Sequence, residues 1–390
     1  MKRLPFSMIV MALFLLGVYS CTQDQELTPK DPIHVNDFEN IPPLATKRGN
    51  GGKGGGGASL QVLPALSGAT NASALAINNH GEMVGYSEIN GYLHPTYWNS
   101  STAEPEDLGL PPDVLYARAR SISDQGHIVG STGERVSLAT AIQFRPGPPR
   151  TLPHLRPAGI EFAWKVNNFG VISGSARDWS QSRQFERTVY WENNTINDIG
   201  MFPNAIWTMG YGLNDASTIV GSAVADGRMI PYTWSDGTFT ALSDLGAGIG
   251  EQRAYDISNN GDVVGASRDP SGIIHPVLWR NGELIDLGIF PGIVNGGYAE
   301  ALAVNEKGQA VGWGWGLDGH PHALLFKDGK IIQLPEPRNA VPPLSYAYDI
   351  NDAGQIVGEG YIDGTFKRKP MLWTISGGGG GGNKGKGKPN

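Results

Sequence analysis

Aromatic and charged side chains that could meet a ligand gather in a few short segments of this chain. They are Tyr116, Arg118 and Arg120; Phe162, Trp164 and Lys165; Phe202, Trp207 and Tyr211; Arg253, Tyr255 and Asp256; Phe290, Tyr298 and Glu300; Tyr346, Tyr348 and Asp349. Aromatic faces with a few mixed charges suit a sugar ring or a peptide segment. A polysaccharide lyase needs a Tyr or His base beside an Arg or Lys that neutralises a uronate. Arg118, Arg120, Arg253 and the neighbouring tyrosines are of the right types for that chemistry. A glycoside hydrolase needs two carboxylates at one mouth, for which Asp256, Asp349 and Glu300 are the candidates. The signatures of serine hydrolases, zinc proteases, P-loop enzymes and EF-hands do not occur. His320 and His322 would share one face of a strand, a spacing compatible with a metal. The preferred reading is a hairpin residue followed by a repeat histidine. No catalytic residue, metal or cofactor is assigned.

These segments belong to a repeat. Ala-Leu-Ala-Ile-Asn-Asn-His-Gly-Glu-Met-Val-Gly at 74–85 returns as Ala-Tyr-Asp-Ile-Asn-Asp-Ala-Gly-Gln-Ile-Val-Gly at 347–358. Marked by the turn residue, the copies fall at Asn78, Ser123, Asn167, Asn214, Ser258, Asn305 and Asn351, spaced 45, 44, 47, 44, 47 and 46 apart. Each copy holds four short strand signals. A first strand ends on an apolar residue, and an Asn/Ser-x-x-Gly turn, lacking its glycine only in Asn214-Asp215-Ala216-Ser217, leads to a second that reaches a glycine. A third ends on an aromatic residue (Trp98, Phe144, Trp191, Trp234, Trp279, Phe326, Trp373), and a fourth is of the Asp-Leu-Gly type. The fourth residue before the turn is Ala74, Ala119, Ala163, Gly210, Ala254, Ala301 or Ala347, always small. Small residues on an innermost strand and large ones further out fit blades crowding toward an axis.

The ends of the repeat region supply closure. The last copy stops after its third strand at Trp373-Thr374-Ile375, while an orphan strand with the fourth-strand look, about 59–66, precedes the first copy. Pairing the two removes both free edges. The expected fold is therefore all-β: a seven-bladed β-propeller with four-stranded blades, closed by the N-terminal strand. Tyr116, Phe162, Trp207, Tyr298 and Tyr346 lie further from the turn and are expected at the surface. With Arg118, Arg120, Arg253 and Glu300 they form the candidate ligand-binding set at the channel mouth. Trp164, Tyr211, Tyr255 and Tyr348, third before the turn, alternate in phase with the apolar column and are expected in the core.

Composition bounds the rest. With 390 residues, 40% of them apolar, and 10 tryptophans, the chain can fill a large core. Of its 55 glycines, 15 sit in two tracts, 49–57 and 377–387. The segments 1–58 and 377–390 carry charges of +1 and +3, so residues 59–376 hold −11 within a net charge of −7. So acidic a surface repels phosphate backbones, and nucleic acid is not expected as a partner. Lys2 and Arg3, the apolar run Met8–Val18 and Val18-Tyr19-Ser20-Cys21 resemble a bacterial lipoprotein signal with its lipobox. That resemblance makes Cys21, the single cysteine, the lipidated first residue of the mature chain. A lone cysteine also excludes a disulfide framework and a cysteine zinc site. The expected domains are a signal peptide at 1–20, a flexible Pro/Gly-rich tether at 21–58, the propeller at 59–376 and a disordered Gly/Lys tail at 377–390.

The repeat also resembles the HAF-repeat extracellular proteins. His275-Pro276-Val277-Leu278-Trp279, Asp286-Leu287-Gly288 and Ala301-Leu302-Ala303-Val304-Asn305 follow that family's order, and His322-Ala323-Leu324-Leu325-Phe326 is a second copy of the name-giving motif. Thr140, Arg187, Ile230 and Lys369 stand where the histidine would be, so the histidine is not a shared ligand. The resemblance implies the fold and an extracytoplasmic location, without an activity to transfer. The expectation is a monomeric, lipid-anchored module of the cell envelope, at the outer membrane, with Asp24 and Glu26 after Cys21 as a sign of surface export. Its expected partner is a polysaccharide or a protein ligand, with a carbohydrate-active enzyme as the alternative.

Overall fold

The computed structural model describes residues 58–375 apart from 133–138, 158, 179–184, 248–249, 291–296, 338–339, 341 and 363–366. The expected signal peptide, most of the tether and the Gly/Lys tail lie outside the described residues. Among the described residues there are 28 strands, β1 (Ala58–Val62) to β28 (Arg368–Ile375), and no helix. They form seven separate four-stranded antiparallel sheets. The first strand of each sheet lies against the first strand of the next, and the last against the first, so the ring closes. The fold is a seven-bladed β-propeller.

Closure comes from β1, which pairs with β28 from Ala58 opposite Ile375 to Val62 opposite Met371. The strand is shorter than expected. Pro64 has no amide hydrogen to continue the ladder, and Leu63 makes the last bond, donating to the Pro370 carbonyl at 2.9 Å. Beyond it the chain crosses to blade 1, where the Trp98 indole donates to the Pro64 carbonyl at 2.6 Å.

The innermost strands are Asn71–Ile77, Ala117–Ile122, Ile160–Val166, Ala205–Leu213, Gln252–Ile257, Ala299–Val304 and Ser345–Ile350. Every one carries a β-bulge, and always at the third residue before the turn: Leu75, Arg120, Trp164, Tyr211, Tyr255, Leu302 and Tyr348. A bulge adds one unpaired residue and shifts which face the following side chains point to. Here it lets the small residue fourth before the turn and the apolar residue directly before it both enter the same blade interface. The second-strand glycines stand opposite the small column, as Ala254 pairs with Gly265. A Cβ at Gly85, Gly130, Gly174, Gly221, Gly265, Gly312 or Gly358 would meet an inner-strand carbonyl oxygen at 1.8–2.1 Å. Close backbone approach requires glycine in all seven blades.

The core is distributed as seven apolar clusters, one for each interface between consecutive blades. Tryptophans of the third strands anchor these wedges. The indoles of Trp98, Trp191, Trp279 and Trp373 donate to the carbonyls of Pro64, Pro153, Ser243 and Pro335 in the preceding blade, at 2.6–2.8 Å. Phe144 and Phe326 pack without a donor, and the Trp234 Nε1 is buried without a partner. The motif histidines also have a structural task. His94, His275 and His322 meet Asp107, Asp286 and Glu336 near the fourth strand at 2.8–2.9 Å, and Arg187 replaces histidine in the same pairing with Asp198.

Gly265→Ala should lower the unfolding free energy by more than ~3 kcal/mol, because a 1.8 Å approach to a carbonyl cannot be relieved by a side-chain movement. Urea melts would show it; a near-neutral change would refute the steric role of the column. Trp279→Phe should cost about 1 kcal/mol more than Trp234→Phe, since only the first loses a hydrogen bond. Equal losses in the two melts would show that packing alone matters.

Candidate functional site

Because successive strands run antiparallel, the Asn/Ser turns all lie at one end of the channel, the turn end. The inter-blade loops and the loops before the third strands lie at the other end, the mouth. Between them, the residue that the bulge inserts, third before each turn, keeps part of its surface exposed in all seven blades, whereas the fifth is buried in four of them (Ser73, Met209, Arg253 and Glu300). Trp164, Tyr211, Tyr255 and Tyr348 are half-buried wall residues and take no part in the apolar clusters. The expectation that they are core fails because plain alternation ignores the residue that the bulge inserts.

At the turn end the polar groups are spent on one another. The residue after each turn Asn or Ser donates its backbone N–H to the side chain of its counterpart in the next blade. The sequence runs Asn79 to Asp124, Asn168, Asp215, Asn259, Glu306, Asp352 and back to Asn79, with every bond 2.7–2.9 Å. Inside this ring lies a cavity of about 130 Å³ lined from all seven blades, with Lys165, Asp256 and Asp349 on its wall. Lys165 Nζ stands 3.1 Å from Asp256 and 3.9 Å from Asp349. These residues come from blades 3, 5 and 7, which do not adjoin, so the lysine bridges them across the axis. Burial pushes the Asp349 carboxyl above its ordinary value, and Lys165 partly opposes that. Asp349 also accepts the Ile77 amide at 3.0 Å.

The mouth has a different character. One run of rings goes from Phe162 to Trp164 (5.4 Å, stacked), Tyr211 (6.2 Å) and Tyr255 (5.6 Å). Another goes from Trp315 to Trp313, then to Tyr298 and Tyr346, and from Tyr346 to Tyr348 in parallel stacking at 6.1 Å. Tyr255 and Tyr298 both donate to Glu300 Oε1, which joins the two runs. Arg118 lies over the Tyr86 ring at 4.8 Å and Arg120 over Trp164 at 4.7 Å. Charges in the wall are paired: Arg253 with Glu251 at 2.8 Å, Arg177 with Glu186 at 3.1 Å, and Arg368 with Glu359 at 3.8 Å. Trp207 donates to Glu186 at 2.9 Å.

The sequence-derived set therefore divides. Phe162, Trp207, Tyr298 and Tyr346 are half-buried wall residues, and Tyr116 is half-buried at the start of its blade. Arg253 and Glu300 are each only 2% exposed and are parts of the wall, not of its surface. The hydrolase candidates separate: Asp256 and Asp349 share Lys165 toward the turn end, while Glu300 sits in the tyrosine cluster nearer the mouth. The lyase candidates do converge, with Arg253 beside Tyr211 and Tyr255. Burial, however, pushes both hydroxyls up, Tyr255 with Glu300 adding to the effect, and a tyrosine so shifted is a poor base at neutral pH. His322 is held by Glu336, Asp318 and Gln333, and no group of three or more His, Cys, Asp or Glu suited to a metal occurs among the described residues. Sequence reasoning passed over Trp313 and Trp315, on the second strand of blade 6, because it searched the inter-blade segments alone.

No family model matches the chain, and no curated relative does. Solved structures do resemble it. A structure described as streptogramin B lyase shares 10% identity over 82% of this chain and 98% of its own, with a TM-score of 0.52. YCF48 bound to D1 peptide shares 15% over 82% and 97%, with a TM-score of 0.45. A lectin of Aleuria aurantia in complex with a fucoside shares 10% over 69% and 96%, with a TM-score of 0.36. At these identities the first likeness concerns the propeller fold, and nothing finer.

The axial triad gives a test. Lys165→Met leaves two buried carboxylates facing each other and should cost about 2 kcal/mol at pH 7, less than a fully buried pair because the lysine is partly exposed. A carboxyl whose folded pKa is raised binds its proton more tightly when folded. Its penalty is therefore full at neutral pH and fades as the pH falls through the raised value. Urea melts should show the gap between variant and wild type narrowing as the pH falls from 7 into the acid range. A constant gap would mean the carboxylates are not the cause.

Proposed function

We propose that this chain is a binding module of the cell envelope, anchored through a lipid on Cys21 and taking a glycan or protein ligand at the channel mouth. One observation carries the reading: two runs of half-buried rings, Phe162–Trp164–Tyr211–Tyr255 and Tyr298–Trp313–Tyr346, are joined through the Glu300 carboxylate into one wall that opens on Trp315. Aromatic side chains contribute large contact area at small entropic cost, the usual basis of an anchoring surface. Catalysis finds less support. Of the hydrolase candidates, Asp256 and Asp349 come together but are engaged by Lys165 at the turn end, away from the aromatic mouth, and the tyrosines beside Arg253 are shifted away from basicity. The HAF-type repeat and the lipobox-like Val18-Tyr19-Ser20-Cys21 support an extracytoplasmic, membrane-tethered place for it. Asp24 and Glu26 favour the outer surface.

Two measurements test this. Cys21→Ala should move the protein from the membrane fraction to the soluble one, and retention in the membrane would refute the anchor. Incubation with a panel of neutral and uronic-acid polysaccharides and of peptides should show binding without cleavage. Trp315→Ala, at the exposed end of the wall, should weaken that binding about tenfold, with the melting temperature little changed. New reducing ends or unsaturated uronates would replace the binding reading with an enzymatic one.

A further inference from the structure

His322 is the second residue of the third strand of blade 6, Pro321–Lys327, at the mouth end. Its side chain is buried, and a carboxylate meets each of its ring nitrogens: Glu336 stands 2.8 Å from Nδ1 and Asp318 3.0 Å from Nε2. The two acids belong to different segments. Glu336 lies beyond the fourth strand, on the way to blade 7, where it also accepts the Ser345 hydroxyl at 2.7 Å; its side chain is 13% exposed. Asp318 sits in the hairpin Gly316-Leu317-Asp318-Gly319-His320, which follows Trp315 at the open end of the aromatic wall, and its side chain is 41% exposed. Gln333, 3.0 Å from Nδ1, and the Phe290 ring, 6.2 Å away, complete the surroundings of the imidazole. His320 donates its backbone amide to Asp318 at 3.1 Å and acts on that carboxylate electrostatically.

A neutral imidazole has one N–H and cannot donate to both acids, whereas an imidazolium donates to both. Loss of the proton therefore turns a lone pair toward one carboxylate. Glu336 is nearly buried and held by Ser345, so it keeps the remaining N–H; Asp318 has water to turn to. The hairpin can follow, because Gly316 and Gly319 ease backbone movement, a Cβ at Gly319 would meet nothing within 4 Å, and Leu317 is 63% exposed. The corresponding hairpin of blade 5 is built otherwise: Asp269 accepts the Ser271 hydroxyl and the Ile273 amide and stands 3.4 Å from His275, so it folds on itself. We propose that His322 is a latch that holds the blade 6 hairpin at the mouth when its ring is charged and releases it when the ring is neutral, regulating how Trp315 and Leu317 meet the ligand. The regulation rests on the binding reading above; the movement of the hairpin does not. Burial opposes the charged ring, but the hydrogen bonds to Glu336 and Asp318 outweigh it and hold the imidazole above its ordinary pKa. A histidine raised in this way contributes fully below its unfolded value, and the contribution is lost as the pH rises through the raised one. The hairpin is therefore latched in mildly acid solution and released in alkaline solution.

The test uses the full chain carrying Cys21→Ser and Leu317→Cys, with a nitroxide on the hairpin whose mobility is read by electron spin resonance from about pH 6 to about pH 9. The mobile fraction should rise about threefold across that range. Asp318→Ala should give the mobile spectrum at every pH, His322→Gln should remove the pH dependence, and His320→Gln should leave it in place. Neutral and uronic-acid polysaccharides and peptides are then titrated at both ends of the range. Those that bind should do so about threefold less tightly at the alkaline end, a difference that Asp318→Ala removes. A spectrum constant with pH, or a rise that persists in Asp318→Ala, would overturn the latch. A responsive label beside an unchanged affinity would overturn its regulatory role. Binding by no probe would overturn the binding reading, and the label alone would still decide whether the latch exists.

Discussion

The close approach of two backbones in each blade governs the rest of this structure. Where a small residue of the inner strand faces a glycine of the second, the carbonyl of the preceding inner residue lies where a Cβ would otherwise be. The bulge that follows inserts one residue and changes the phase of the inner strand. Without that change, the small residue and the apolar residue three positions later would point to opposite faces. One of them would leave the wedge between blades. With it, Ala254 and Ile257 join the same apolar cluster, as Ala119 and Ile122 do one interface beyond blade 1.

Seven such wedges meet at their narrow ends, where two closures hold them in a ring. One is the antiparallel pairing of β1 with β28, which makes the first segment of the propeller part of its last blade. The other is the circle of amide-to-side-chain hydrogen bonds at the turn end, which returns to Asn79 through Asp352. Each of those bonds contributes about 1 kcal/mol at most. Their value lies in register, because a blade that shifted along the axis would break the bonds on both sides. The Asn/Ser turns therefore do two things. Asn78, for example, accepts amides of its own turn and donates to the Ser123 carbonyl next door.

Much of this was legible in the residues. Period, small column, aromatic column and orphan strand together specified the number of blades and the way they close, since each reflects a requirement that all seven copies share. The bulge was not legible. Nothing in Ala-Tyr-Asp-Ile or Ala-Trp-Lys-Val announces an extra residue, and period-two reasoning then assigned Trp164 and Tyr348 to the wrong face. The pairing of Lys165 with Asp256 and Asp349 was equally hidden. It joins blades far apart in sequence that meet only because the ring brings them to one axis. The partner of the histidine column, an acidic residue in or just after the fourth strand, appears only once the strands are laid side by side.

The seven copies also offer an internal comparison. Where architecture binds, they agree: Ala or Gly at the fourth residue before the turn, Ile, Val or Leu at the last, glycine on the second strand. Where the bulge turns a side chain to the channel, they diverge, through Leu75, Arg120, Trp164, Tyr211, Tyr255, Leu302 and Tyr348. The fifth position diverges further, through Ser73, Arg118, Phe162, Met209, Arg253, Glu300 and Tyr346. Positions that the fold leaves free while their neighbours are held fixed are the ones a ligand can shape. The divergence is uneven as well, for aromatic rings concentrate in blades 3 to 7 and blade 1 contributes Ser73 and Leu75. A symmetric scaffold thus presents an asymmetric wall, and asymmetry is what selecting one orientation of a ligand requires.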